Sequence, residues 1–312
     1  MARPFYYGGQ AVLEGVMMRG RHHLAVAVRR PNGSIALKEE PLTGALYRRA
    51  LWSKPFFRGF VMLWDALVLG IQSLLYSAQV AIGQEADEIS PKTVRILLGI
   101  SLSFAIGLFF VAPLALVHWL DQFHSSSIVS NLVEGAIRLT MFLGYLLLVG
   151  RLRDVRRVFA YHGAEHKTIN AYEAGALLDV SLIQRYTTVH TRCGTAFLLI
   201  VIVISILVFT LLGQPPLPLR ILSRIILVPV LAAVAYEVIR FMAGHCSNEL
   251  VRLAMKPGLA LQKLTTREPT DDQVEVAMTA LKAVLVADGV LAREPAASGA
   301  APRPVRVAGA PA

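Results

Sequence analysis

The sequence predicts a mainly α-helical, polytopic membrane protein. We expect four spanning helices, one further interfacial or packed helix, a small N-terminal β-ribbon and a cytoplasmic C-terminal helix. Of the 312 residues, 55% are hydrophobic and only 17% are charged, whereas soluble domains carry about 25% charged residues. Several apolar runs approach the ~20 residues that cross a bilayer as a helix. Residues 1–10 contain no apolar run, so we expect no cleavable signal peptide.

Four apolar segments are predicted to span the membrane, namely 94–120, 132–150, 195–213 and 219–243. Segment 56–82 is also apolar, but polar residues recur along it every seven positions: Arg58, Asp65, Gln72 and Gln79. This spacing places a polar seam on one helix face. The seam favours a helix that lies at the interface or packs on its neighbours. A seam facing a cavity is the alternative, and whether 56–82 crosses the bilayer stays open.

The distribution of positive charge predicts the orientation of the spans. Basic residues follow the second and fourth spans and precede the first, whereas the loops 121–131 and 214–218 contain no Lys or Arg. We therefore expect a multi-pass protein of the cell membrane, with both termini and segment 151–194 on the cytoplasmic side. Arg220 and Arg224, at the outer end of the fourth span, run against this bias.

The chain divides into four predicted regions. Residues 1–54 form a cytosolic β-ribbon, because Asn32-Gly33 between two short runs is a strong hairpin signal. A helical membrane domain covers 55–264 and contains the cytosolic segment 151–194. Residues 265–293 form a cytosolic helix, with Thr270 or Asp271 as its cap. The tail 294–312 is rich in Ala, Pro, Gly and Arg and is predicted to be disordered.

An H-x-x-E-H motif lies between the second and third spans, formed by His162, Glu165 and His166. On a helix, residues i and i+4 share one face, so both imidazoles can bind one metal ion. Glu165 would act as general base, as in the inverted zincin order. The competing interpretation is a solvated interfacial helix with two ordinary surface histidines.

A catalytic zinc takes three protein ligands and leaves one position open. Candidates for the remaining ligand are Glu173, His190 and His245, all predicted at the same membrane level. Cys193 also lies at this level, but a cysteine beside a span is more often a packing residue. The only other cysteine of the sequence is Cys246, and two cysteines at these positions imply no disulfide framework. Lys167 and Arg192 would stabilise negative charge on a substrate.

Near the N-terminus, a glycine-rich run contains Gln10, Glu14 and Arg19. Its small residues indicate a close backbone approach. Glu14 and Arg19 either close over the site or pair structurally within a turn, and the sequence leaves both interpretations open.

Several segments resemble one family. They are Gly8-Gly9-Gln10-Ala11-Val12-Leu13-Glu14-Gly15-Val16-Met17-Met18-Arg19-Gly20, Tyr161-His162-Gly163-Ala164-Glu165-His166-Lys167-Thr168-Ile169-Asn170, Tyr172-Glu173, His190-Thr191-Arg192-Cys193-Gly194-Thr195 and Leu264-Thr265-Thr266-Arg267-Glu268-Pro269. The chain resembles the YqhQ-type bacterial membrane proteins with domain of unknown function 1385, catalogued as predicted metal-dependent enzymes. That family usually has proline where Thr191 stands. The resemblance implies a helical membrane protein with a metal centre. It also implies that Glu14, Arg19, Arg192 and Gln262 share a functional surface with the histidines.

Two functions from different classes follow as expectations. The first is a membrane-embedded, metal-dependent hydrolase that uses zinc at the cytoplasmic face on a peptide or a lipid-linked group. The second is a non-enzymatic membrane scaffold or assembly factor, with a structural metal or none. A transporter is disfavoured, because the first and third spans lack charge in their apolar cores. The expected partners are membrane lipids and not nucleic acid, since the basic patches lack interleaved aromatic residues at a nucleic-acid spacing. The oligomeric state stays open.

Overall fold

A computed structural model describes residues 5–43, 50–83, 90–120, 126–213 and 215–292. The predicted disordered tail, 294–312, and part of the predicted outer loop, 121–125, lie outside these ranges.

The N-terminal region is a four-stranded antiparallel sheet in which sequence neighbours pair: β1 Gly8–Val12, β2 Gly15–Arg19, β3 His23–Arg29 and β4 Ile35–Pro41. The predicted hairpin at Asn32-Gly33 is confirmed, and Gly33 adopts φ 84° there. β1 and β2 add a second hairpin that the sequence pattern did not reveal. Four of the five residues in β2 are buried, so the polar–apolar alternation that marks a half-exposed strand is missing.

The remainder of the described chain is mainly helical. Its helices are α1 Phe57–Ala81, α2 at 91–120, α3 Ser127–Val149, α4 Arg153–Glu173, α5 Val180–Ile183, α6 Gly194–Leu212, α7 Leu217–Gly244, α8 Glu249–Thr265 and α9 Asp271–Ala287. In the described ranges, α1, α2, α3, α6 and α7 are long and apolar enough to cross a membrane. The four predicted spans correspond to α2, α3, α6 and α7. Thr270 caps α9 in a capping box with Gln273, as one of the two predicted caps.

Helix α1 packs against both the sheet and α7. Arg58 forms an ion pair with Glu237 on α7, and Asp65 accepts a hydrogen bond from Arg19 on β2 (Nε to Oδ2, 3.0 Å). At Ser77, the hydroxyl oxygen accepts a 3.2 Å hydrogen bond from the Leu13 amide. The polar seam of this helix therefore serves packing at Arg58 and Asp65, which agrees with the favoured interpretation.

The sheet shares one apolar core with α4 and α9, and we call β1–β4, α4, α5 and α9 the sheet–helix unit. Met18, Tyr161 and Leu281 are fully buried in this core and come from its three separate chain segments. Asp288, directly after α9, accepts hydrogen bonds from the amides of Arg21 (2.5 Å) and His22 (3.0 Å). This unit fixes α4, which carries the H-x-x-E-H motif.

Helix α8 is continuous through Pro257-Gly258. Gly258 packs closely against Ala196 on α6: an added Cβ on Gly258 would come 3.1 Å from the Ala196 Cβ. This close packing holds the end of α8 beside the start of α6, which brings Thr265 to the motif.

Candidate metal centre

Helix α4 meets the chain after α8 at a single glycine. An added Cβ on Gly163 would come 2.1 Å from the Arg267 main-chain oxygen, so only glycine permits this approach. The Arg267 amide donates to the Phe159 carbonyl (2.9 Å), which continues the same contact one turn away. The first part of the motif, at His162 and Gly163, therefore packs against residues 265–267.

The two motif histidines are oriented by main-chain carbonyls. His162 Nδ1 donates to the Thr265 oxygen (2.9 Å), and His166 Nδ1 donates to the Thr188 oxygen (2.7 Å). Since a carbonyl only accepts, each Nδ1 carries a proton, which leaves the Nε2 atoms as the metal-binding positions of the two rings. Metal-binding histidines usually have such a partner behind the ring. The ring centroids are 4.3 Å apart.

Cys193 completes a group of three metal-ligand atoms. Its Sγ lies 3.3 Å from His162 Nε2, and the ligand atoms of His162, His166 and Cys193 all fall within 4.8 Å of one another. Cys193 is buried at the amino end of α6, where its sulfur accepts from the Thr195 amide (3.4 Å). The residue that sequence reasoning treated as the weakest ligand is thus the one brought to the histidines.

His190 and Glu173 lie beside this group without belonging to it. His190 Nε2 is 3.5 Å from Glu173 Oε2, and Arg192 forms an ion pair with the same carboxylate. Burial lowers the pKa of His190 more than Glu173 raises it, so the ring is neutral near pH 7. Burial raises the pKa of Glu173, but the hydrogen bond from His190 and the charge of Arg192 lower it by more. The net pKa lies below the ordinary value, so the Glu173 carboxylate stays ionised. The Arg192 guanidinium also lies over the Tyr6 ring.

Gln262 holds the main chain of His190. Its side chain accepts from the His190 amide (2.9 Å) and donates to the His190 carbonyl (2.8 Å), and it is fully buried. Both polar atoms of the amide are therefore used in a clamp between α8 and the segment that carries His190 and Cys193.

Glu165 is buried between α4 and β1. An added Cβ on Gly9 would come 3.1 Å from its Cδ, so glycine again permits the approach. Burial raises the pKa of Glu165 to about 7, although the nearby His162 and the Gly9 amide lower it. Among the described residues, no group forms a hydrogen bond with Glu165 Oε2. This carboxyl is thus poised to take up or release a proton near neutral pH.

Two further predicted site residues lie outside the group of three ligand atoms. Lys167 is buried and its ammonium contacts the Gln184 carbonyl (2.8 Å) and Glu268 (2.7 Å). His245 is exposed at the end of α7, with its ring stacked on Phe241 and its Nδ1 2.8 Å from the Phe241 oxygen. His245 lies outside the group of three ligand atoms, so its replacement is a suitable control for the replacement of a motif histidine.

The N-terminal candidates form contacts between the sheet and its neighbours. Glu14 adopts φ 52° in the turn from β1 to β2 and accepts two hydrogen bonds from Arg157 on α4 (2.7 and 2.5 Å). Arg19 pairs with Asp65, as described above, and Gln10 lies against Gly70 of α1. These contacts attach β1 and β2 to α4 and α1.

Sequence reasoning missed two features. The carbonyls of Thr188 and Thr265 carry no side-chain signal, because any residue supplies a main-chain oxygen. The second feature is a buried charge cluster on α3 and α7, formed by Glu134, Arg138, Arg220 and Arg224. Its i, i+4 spacing on both helices is visible in the sequence and could have identified it.

The comparisons with known proteins show a family and name no chemistry. A family model described as Protein of unknown function (DUF1385) matches residues 54–287. The Uncharacterized protein YqhQ of Bacillus subtilis (strain 168) is 33% identical over 295 residues, which cover 90% of this chain and 93% of that protein. No solved structure matches.

Proposed function

The chain belongs to the DUF1385 family of proteins of unknown function, and we propose that this member is a membrane-embedded, metal-dependent hydrolase. The observation that carries the proposal is the convergence of His162, His166 and Cys193, with both rings held through Nδ1. Three nitrogen and sulfur ligands with one open position are typical of catalytic zinc. Zinc is therefore the proposed metal.

The donor set fits a bound metal. A Cys and two His side chains are ligands that zinc prefers, and two of them have orienting carbonyls behind them. His162 is half exposed, whereas His166 and Cys193 are buried, so the open position would face the His162 side. A bound zinc would supply Lewis-acid polarisation and lower the pKa of a bound water.

The residues of the chain would move the proton. Glu165, with a pKa of about 7 and a free Oε2 acceptor among the described residues, would accept a proton from the attacking water and pass it to the leaving group. Arg192, fixed by Glu173, would provide positive potential beside the centre. Lys167 has no part in this proposal, because Gln184 and Glu268 already engage its ammonium.

The proposed membrane arrangement follows from counting crossings. The sheet and α4 pack in one core, so both would lie on the same side of a bilayer, and the chain between them would cross an even number of times. Three long apolar helices, α1, α2 and α3, occupy that stretch. Because Ser77 and Val80 of α1 pack on the sheet, we assign α1 to the surface and the crossings to α2, α3, α6 and α7. Both termini then share the cytoplasmic side.

Exposed apolar side chains support the lipid contact of α2. Ile100, Leu102 and Phe104 are 63%, 63% and 59% exposed. A soluble protein rarely leaves such a continuous apolar surface uncovered. Lipid chains would cover it in a bilayer.

A structural metal in a scaffold is the second candidate function. The burial of His166 and Cys193 favours it, because such a centre would connect α4 to the start of α6 with little access for a substrate. A structural zinc has four protein ligands, so this alternative requires a fourth one beside the three that converge.

Metal content of the purified full-length protein tests the centre. We expect about one metal ion per chain in the wild type and in His245→Ala, and loss of that metal in His166→Ala. Metal-free wild-type protein, or equal loss in the two variants, would reject the proposal.

A further inference from the structure

A buried charge cluster lies at the far end of the helix bundle from the His/Cys group. Glu134 and Arg138 on α3, and Arg220 and Arg224 on α7, are 2%, 7%, 5% and 5% exposed. Glu134 accepts hydrogen bonds from Arg138 (2.7 Å), Arg220 (2.7 Å) and Arg224 (3.1 Å). We name these four residues the arginine cluster.

The cluster carries more positive than negative charge. The guanidinium groups of Arg138 and Arg224 share the single carboxylate of Glu134, so these three residues carry one positive charge in excess. Arg220 is left out of this count because it makes a further contact. The other contacts of the two arginines within the described residues are with neutral groups. Arg138 contacts the Phe109 carbonyl and the Phe110 ring, and Arg224 contacts the Ser223 hydroxyl and the Phe209 ring. A buried excess charge is costly unless an anion compensates it.

Two further observations indicate a missing anion. In the described structure, Arg224 Nε is buried without a hydrogen-bond partner, and so is the Ser130 hydroxyl, one turn before Glu134. Glu134 is the eighth residue of α3 and Arg224 the eighth of α7, so both lie about 10 Å inside the start of their helices at 1.5 Å per residue. The two residues therefore lie at a similar depth, about two turns from the helix starts.

We propose that the arginine cluster is a binding site for one phosphate group of an anionic ligand. A phosphodiester carries a single negative charge, which matches the excess of the Arg138 and Arg224 charges over that of Glu134. Guanidinium groups bind phosphate through paired N–H donors. In a bilayer the ligand would be an anionic phospholipid headgroup, with inorganic phosphate as the other source of the same chemistry. The inference is independent of the metal centre.

The ligand phosphate would take the unpaired Arg224 Nε donor and would compete with Glu134 for the positive charge of the same guanidinium groups. This competition distinguishes a binding site from a structural clamp, because only a binding site predicts that removing the carboxylate strengthens phosphate binding. In a binding site, Glu134→Gln frees the arginines and strengthens phosphate binding. In a structural clamp, the same change only loosens α3 from α7.

Native mass spectrometry of the full-length protein in detergent, titrated with phosphatidylglycerol, measures the binding. We expect Arg224→Gln to bind about tenfold more weakly, as for loss of one charged hydrogen bond, and Glu134→Gln to bind more tightly than wild type. Arg252→Gln, an exposed arginine on α8, is the matched control and should bind like wild type. Arg224→Lys, which keeps the charge, should fall between wild type and Arg224→Gln.

Competition identifies the source of the phosphate. If millimolar inorganic phosphate displaces the lipid, the site takes phosphate from either source; if it does not, the site is specific for the headgroup. Wild-type affinity in Arg224→Gln, or unchanged or weaker binding in Glu134→Gln, would overturn the proposal. Phosphatidylcholine bound as tightly as phosphatidylglycerol would overturn it as well, since net ligand charge would then not matter.

Discussion

The Arg267 main-chain oxygen lies so close to Gly163 that an added Cβ would come within 2.1 Å of it. This contact presses the chain after α8 against the H-x-x-E-H motif and places the Thr265 carbonyl at His162 Nδ1 (2.9 Å). The glycine inside the motif therefore positions a ligand.

Replacing Gly163 tests this relationship. Gly163→Ala forces the Arg267 segment away from α4, and overpacking of this kind costs about 1–3 kcal/mol. We expect a lower Tm and a reduced metal content, because the Thr265 carbonyl retreats from His162. Thermal unfolding and metal analysis measure both. Gly144→Ala on α3, where an added Cβ meets no atom within 4 Å, is the control; equal behaviour of the two variants would contradict the positional role.

The clamp formed by Gln262 should be one of the strongest single contributions near the site. Gln262→Ala leaves the buried His190 amide and carbonyl without their partners, at about 1–3 kcal/mol for each unsatisfied group. Denaturant or thermal unfolding should show this loss, with Gln72→Ala, at an exposed position on α1, within about 0.5 kcal/mol of wild type. A near-neutral Gln262→Ala would show that water replaces the clamp.

Glu165 separates the catalytic proposal from the structural one. Glu165→Gln removes the proton acceptor but no proposed ligand, so the metal should stay at wild-type stoichiometry. A cell that makes only this variant should accumulate the uncleaved peptide or lipid-linked species in proteome and lipid profiles, as a deletion strain does. Glu249→Gln, on an exposed glutamate, is the matched control. Wild-type profiles in Glu165→Gln would favour the structural metal.

The proposed topology places the end of α1 on the cytoplasmic side and the start of α3 outside. In a Cys246→Ser background, Ile82→Cys and Ile128→Cys introduce thiols at exposed positions, 62% and 56% exposed. A membrane-impermeant maleimide should label Ile128→Cys in intact cells and Ile82→Cys only after permeabilisation. Labelling of Ile82→Cys in intact cells would contradict the assignment of α1 to the cytoplasmic surface.

Local signals predicted the elements that depend on local chemistry. The hairpin at Asn32-Gly33, the cap at Thr270 and four of the five long apolar helices in the described residues all follow from residue type and spacing. The histidine spacing on α4 was equally local. β2 was not predicted, because both of its faces are covered and its pattern carries no alternation.

Long-range packing decided what the sequence left open. Glu14 finds Arg157, 143 residues away, and Cys193 finds His162, 31 residues away; neither separation has a period that a sequence pattern reveals. Glu165 turns to Gly9 because the sheet packs on α4. The sheet–helix unit gathers three distant segments, which explains why the sequence divides them among separate regions.

X-ray absorption at the metal edge tests the central claim most directly. A centre built from His162, His166 and Cys193 predicts one sulfur at about 2.3 Å and two imidazole nitrogens at about 2.0–2.1 Å, with a light oxygen scatterer in the open position. Cys193→Ser should remove the sulfur shell, whereas Cys246→Ser should keep it. A shell without sulfur in the wild type, or a sulfur shell that survives Cys193→Ser, would contradict the account.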